Sequence, residues 1–364
     1  MNIRAFITHK QAELFADCQD RYGVNPDTKS IAVSDGMGST WQQKIWAQLL
    51  VDAFIDSTNW FPTRETIKPL CKSWRNKVID YIKLLKERPR TGIQQREIKL
   101  LDALIYRNER NLVSGRSAGA TFAGIRFSGN IWNGTVLGDS CLIEWDGNEA
   151  KFNTSQDSET FDSYPDYFDS DASKEGKGIP KPVEGVLSEG KYLLLVSDPF
   201  SDFLLEHSKQ GDIAKYIQQL LSLASHDDFE TLVCEWRREG MHNDDTTLII
   251  VECDNSDVLA ISHADAIEEM IENEKLSQCS ASQVKEKTPT HDEKPIHEKE
   301  EAADNFIVIH DNKKNFVDEF LSVYQHCLQK KFPKQMGKLK YKWTQKALEE
   351  TLNILFEKYS VIKK

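Results

Sequence analysis

Long apolar stretches are missing from this 364-residue chain. No run approaches the roughly eighteen residues that a membrane-spanning helix needs. The opening MNIRAFITHK has no apolar segment of the kind that directs secretion. No Cys-x-x-Cys pair occurs, so the seven cysteines, an odd number, read as ordinary thiols of a reducing compartment. The nine histidines lack ligand spacing, and His291 and His297 sit in a highly charged, solvated stretch. Positive charge is in deficit: 46 Lys and Arg stand against 58 Asp and Glu, a net charge of −12. That balance argues against nucleic-acid or anionic-membrane binding by the body of the molecule. These absences leave a cytoplasmic protein, 39% hydrophobic, with material for a sizeable core.

Strand and helix signals interleave from residue 1 to 253. KSIAVSD is a short apolar run, and GKYLLLVSD and DTTLIIVE read as buried strands. A helical period runs from Trp41 to Ile55. A second helix is capped by Thr63 and buries Ile67, Leu70, Trp74, Val78, Tyr81 and Leu85, and a third covers Ile93 to Tyr106. Together these last two make a helical insertion over about 62–110. Between Gly119 and Trp145, short strands broken by SGN and GD read as hairpins, and DIAKYIQQLLSLA reads as a helix. Residues 146–188, rich in Asp, Ser and Gly, read as a surface flap.

From 254 to 304 apolar residues thin out. A disordered linker is expected there, because the segment buries too little surface to offset its ordering entropy. Residues 305–364 regain helical stripes, among them Phe316, Phe320, Val323 and Cys327, and carry twelve lysines against six acids. This basic helical module is expected to bind an anionic partner or to dock on the acidic body.

Four aspartates stand at the ends of strand-like runs: Asp35 in SIAVSDGMG, Asp139 in TVLGDSCLIEW, Asp198 in YLLLVSDPFSDF and Asp244 in NDDTTLIIVE. Gathered along one edge, such carboxylates repel one another unless something neutralises them. Hard divalent cations with oxygen ligands do so, which points to metal-assisted chemistry on phosphate. Each acid alone has a plainer reading, as a turn former or a strand-edge charge. Ser117 lies in a Gly-x-Ser-x-Gly register, but no strand precedes it and no partner histidine follows suitably.

Taken in order, these segments resemble the metal-dependent serine/threonine phosphatases of type 2C, in a bacterial style. CQDRYGV resembles the family's opening acidic motif, VSDGMG its Asp-Gly-Met-Gly signature, SAGATFAGIRF its small-residue strand and VLGDS its Val-Gly-Asp-Ser. LLLVSDPFSDFL stands where Leu-Ala-Ser-Asp-Gly-Leu-Trp-Asp is usual, and NDDTTLIIVE resembles the closing Asp-Asn/Asp-x-Thr. The resemblance covers about 250 residues and implies an α+β, four-layer α/β-β/α sandwich of two mostly antiparallel sheets flanked by helices, followed here by the small helical segment.

It also implies hydrolysis of phosphoserine or phosphothreonine on proteins, opposite a cognate kinase. The cofactors would be two Mn²⁺ or Mg²⁺ ions, with room for a third. Asp35 would bridge the metals with the Gly36 carbonyl beside it, and Asp198 and Asp244 would complete one shell. Asp20 would hold metal-bound water, Asp139 would serve a third site, and Gln19 and Asp202 would support. Departures concern phosphate recognition. Phe15 stands where many members carry arginine, Pro199 replaces a glycine, and Ser39-Thr40-Trp41 replaces Gly-His. Arg21 and Lys10 are the candidate cations, although arginine at position 21 is common in the family. Two alternatives follow: a catalytically weak regulatory or binding module, or a phosphatase for a non-protein phosphoester.

Overall fold

The computed structural model describes residues 1–92, 94–156, 165–254 and 258–274. One sheet has six strands in the order β13 (Ala260–Ala264), β1 (Asn2–Thr8), β12 (Thr246–Glu252), β11 (Tyr192–Val196), β7 (Cys141–Trp145) and β8 (Ala150–Asn153). A second has five, in the order β10 (Lys181–Val186), β6 (Ile131–Leu137), β5 (Phe122–Ser128), β3 (Ser30–Ser34) and β2 (Arg21–Asn25). A short pair joins β4 (Gly119–Ala120) to β9 (Phe168–Asp169). Neighbours within the two main sheets run antiparallel except β1 and β13, which pair in parallel.

Period-two alternation decides the layers. Leu193, Leu195, Ile249 and Val251 pack with Ile31, Val33, Ala123 and Ile125 in one buried cluster between the sheets. The intervening Leu194, Val196, Leu248 and Ile250 face outward onto helices α4 (Asp198–Gln210), α5 (Ile213–Leu221) and α6 (His226–Glu239). On the other side, Ala32, Phe122 and Leu137 meet α1 (Gln43–Ile55) and α2 (Lys68–Glu87). The four-layer sandwich expected from the sequence is the observed fold.

Helix α3 (Gln95–Val113) completes the insertion. Its buried Asn108 accepts from the Trp41 indole at 2.9 Å and the Gln42 amide at 2.8 Å, and Trp41 meets Trp74 edge-on.

Four local readings change. The second helix starts at Lys68 rather than at Thr63, because Thr63 forms its own turn, its hydroxyl accepting from Thr66 N. Pro69 then occupies the helix's first turn, where its missing N–H is harmless. The flap contains β8 and β10; both are edge strands with most side chains exposed or only half-buried, so little apolar pattern marks them. Helix α6 was not anticipated, although Ser225 and Asp228 form a complete capping box. Finally, the linker expected from 254 is structured over 258–274. Strand β13 extends the sheet at β1, and residues 267–274 are helical. The rest of that linker and the basic module lie outside the described residues.

Asp265 ties this last segment to the body. Its carboxylate accepts from Ile7 N at 2.8 Å and lies 2.9 Å from His226 Nδ1 and 3.0 Å from His263 Nε2. His226 also faces Glu230 through Nε2 at 3.4 Å. With a carboxylate at each nitrogen, first Asp265 and then Glu230, the His226 imidazolium is held up to about 10.

Two outcomes test this frame. Gly23 lies where β2 meets α1, and a Cβ there would stand 2.6 Å from Ile55 Cδ1 and 2.7 Å from Val51 Cγ1. Gly23→Ala is expected to lower stability by about 1–3 kcal/mol in chemical denaturation. The His226 contribution is fully present below its unfolded pKa near 6.5 and fades as pH rises through about 10. Thermal unfolding should therefore separate His226→Gln from wild type at pH 6 and bring them together above pH 10.

Candidate metal and phosphate site

Antiparallel register gathers the strand-end acids. The end of β3 lies opposite the start of β2, with Ser34 paired to Arg21. The end of β11 lies beside the starts of β12 and β7, with Val196 paired to both Leu248 and Cys141. Asp20, Asp35, Asp139, Asp198, Asp244 and Asp245 therefore leave the sandwich along one edge.

Their mutual effects follow from that convergence. Asp35 is pushed up to about 8, first by burial and then by Asp139, with Asp244 and Asp245 adding to the shift and a hydrogen bond with Asp20 opposing it. Asp139 rises to about 7, again mainly through burial, with Asp202 and Asp20 contributing. Asp198 and Asp20 are raised well above the usual carboxylate range by burial and by their acidic neighbours. Asp202 is raised by burial as well. Asp244 stands at the rim, its side chain 49% exposed and its Oδ1 3.4 Å from Lys10 Nζ.

Local bonds fix each acid. Asp20 Oδ2 accepts from the Thr247 hydroxyl at 2.8 Å. Thr121 N donates to the Asp35 carbonyl at 2.9 Å. Asp198 opens α4, where the helix dipole favours a carboxylate, and Pro199 takes the first-turn position that tolerates it. The Ser201 hydroxyl reaches back to the Asp139 carbonyl at 2.8 Å. Gly36 is needed for close approach, since a Cβ there would stand 2.9 Å from Gln43 Cγ and 3.0 Å from the Gln19 carbonyl. Gln19 itself accepts from the Gln43 amide at 2.8 Å.

The residues suit a cation. Asp20 Oδ1 and Asp139 Oδ1 are buried and meet no donor, and an all-carboxylate donor set matches hard divalent ions. Among the described residues, no three His, Cys, Asp or Glu side chains already stand as a closed cage. The acids are electrostatic neighbours that a cation would have to draw together.

The structure distributes the candidate cations unevenly. Arg21 is buried, and its guanidinium donates to the Cys18 carbonyl at 2.9 Å and to the Asp20 carbonyl. It braces the loop from behind. Lys10 is at the rim beside Asp244. Phe15 is buried with Ile7 and Cys18, and burial holds the Cys18 thiol well above its usual range. Of the residues in place of Gly-His, the Thr40 hydroxyl accepts from Gly119 N of β4 at 3.0 Å, and the Trp41 indole fastens the insertion through Asn108. Ser117 is bonded to Asp169 and Lys174.

Two residues escaped the sequence reading. Asp245, the second acid of NDDTTLIIVE, accepts Lys10 N at 2.9 Å through Oδ1 and Gln19 N at 2.7 Å through Oδ2. It thereby joins three of the site's loops. Arg237 donates to the Asp244 carbonyl at 2.6 Å and the His9 carbonyl at 3.3 Å. The doubled acid Asp244-Asp245 was the available signal for the first; nothing in the sequence marked the second.

The sequence model of the family described as Protein phosphatase 2C matches residues 9–233, more than half of the chain. No curated protein matches. Similar solved structures include the S. agalactiae serine/threonine phosphatase, 14% identical over 69% of this chain and 99% of that one, with a TM-score of 0.42. The Mycobacterium tuberculosis serine/threonine phosphatase PstP/Ppp is 16% identical over 69% and 98%, with a TM-score of 0.42. PppA, described as a key regulatory component of T6SS in Pseudomonas aeruginosa, is 16% identical over 69% and 98%, with a TM-score of 0.40. Matched over more than half its length, the chain belongs to the protein phosphatase 2C family.

Proposed function

We propose that this protein hydrolyses phosphoserine or phosphothreonine on a protein substrate with the help of Mn²⁺ or Mg²⁺, opposite a kinase that supplies the phosphorylated form. The observation that carries this reading is the crowding of buried, mutually repelling carboxylates around Asp35. Such a cluster is stable as ionised groups only beside compensating positive charge. When bound, two divalent cations would supply a hydroxide nucleophile and neutralise the phosphoryl oxygens.

Asp35, Asp198 and Asp244, with the Gly36 carbonyl, would hold them, and Asp139 could serve a third. Asp20, fixed by Thr247, keeps a buried oxygen that meets no donor and could accept a hydrogen bond from water held at the metals. Asp245 keeps Lys10 and Gln19 in register, so that Lys10 stands at the mouth as the cation for a phosphate oxygen.

A second reading, a phosphatase-like module with weak turnover, draws on the phosphate side of the site. Arg21 is committed to backbone carbonyls and Phe15 to a hydrophobic cluster. Among the described residues no helix is long and apolar enough to cross a membrane, which leaves the cytoplasmic assignment as part of this proposal.

Mn²⁺-dependent hydrolysis of p-nitrophenyl phosphate by the full chain distinguishes the two readings. Asp35→Asn and Asp198→Asn are expected to lower turnover at least about 100-fold. Equal inactivity of wild type and variants across several metals favours the second reading. Faster turnover of phosphopeptides than of small phosphoesters supports the protein substrate; the reverse points to another phosphoester.

A further inference from the structure

The loop that carries Gln19 and Asp20 is gripped by a segment far away in sequence. Phe15 N donates to Glu274 Oε2 at 3.0 Å. The Phe15 ring lies in a buried cluster with Ile7 and Cys18, against which Ile267, Met270 and Ile271 pack from the helical residues 267–274. From Phe15 the chain makes one tight turn, with Cys18 N donating to the Phe15 carbonyl at 3.1 Å. Gln19 and Asp20 follow directly.

The same segment straddles both sheets. Strand β13 adds to β1 of the first sheet, and Asp265 accepts from Ile7 N. Tyr22, on β2 of the second sheet, donates its hydroxyl to the Asp265 carbonyl. The arm is thus anchored on either side of the loop it grips, by contacts independent of the acidic cluster. Its helical face supplies apolar packing, and Glu274 at the end supplies the one carboxylate that meets the Phe15 amide.

We propose that residues 258–274 are a positioning arm of the candidate site. Glu274 and the Ile267, Met270 and Ile271 face fix the Phe15–Asp20 loop, and with it the placement of Asp20 and the affinity of the site for a divalent cation. The cation part of this inference rests on the proposed function; the loop-fixing part does not. It also accounts for Phe15: an apolar residue there holds the arm, whereas a charged one would not pack against Met270 and Ile271.

The test uses the full-length chain, with hydrogen exchange of peptides spanning residues 9–20 and calorimetric titration with Mn²⁺. Glu274→Ala and Ile271→Asp are expected to speed exchange at Phe15–Asp20 and to weaken Mn²⁺ binding by about tenfold. Glu274→Gln, which keeps an acceptor for the Phe15 amide, should restore both. Glu269→Ala, exposed on the same helical turn, should change neither. Unchanged exchange in the loop overturns the proposal, and so does faster exchange with unaltered Mn²⁺ affinity. Failure of wild type to take up Mn²⁺ contradicts the proposed function instead, and the exchange data alone then decide whether the arm fixes the loop.

Discussion

Carboxylates crowded together in a buried corner are the constraint on which this molecule turns. Asp20, Asp35, Asp139 and Asp198 are each driven upward by burial first and then by neighbouring acids. In such a corner each added ionised acid costs more than the last. With Asp35 held near 8, its ionisation erodes folded stability as pH climbs from the usual carboxylate range toward that value. A fold that keeps this arrangement needs a rigid scaffold to resist the repulsion or a cation to remove it. The two packed sheets and the loop staples supply the first.

The staples explain how the scaffold reaches the acids. Loops leaving a sheet edge are free to splay, and those here are tied crosswise. Asp245 holds the Lys10 and Gln19 amides, Arg21 holds the Cys18 and Asp20 carbonyls, and Arg237 holds the His9 and Asp244 carbonyls. A carboxylate joining two N–H groups and a guanidinium joining two carbonyls are charge-assisted bonds, roughly twice as strong as neutral ones. Arg21 is used in the same way: it is buried, and its Nη1 is shared by the Cys18 and Asp20 carbonyls.

Much of this was legible in the sequence, and the reason is burial. The runs of β3, β11 and β12 are continuously apolar because both faces are covered, one by the opposite sheet and one by helices. Strands β8, β10 and β13 were missed because each has residues facing solvent, so the pattern that marks a buried strand is absent. The Asp-Gly turn and the acids at strand ends announced the site. Their partners were harder to see: the doubled Asp244-Asp245 hinted at Asp245, but Arg237 and Asp265 reach backbone groups far away in the chain, the His9 carbonyl and Ile7 N, which no local spacing reveals. Phe15 and Trp41 looked like losses from a phosphate pocket and prove to be anchors, one for the arm and one for the helical insertion.

The central claim is that the acidic corner exists to hold divalent charge, and thermal unfolding of the full chain with and without Mn²⁺ tests it most directly. The account predicts that wild type gains stability with added Mn²⁺, by about 2.7 kcal/mol at a hundredfold excess over Kd. It also predicts that Asp35→Asn is more stable than wild type in metal-free buffer near pH 8 and gains little from the ion. A wild type indifferent to Mn²⁺, together with an Asp35→Asn variant less stable than it without metal, would contradict the account.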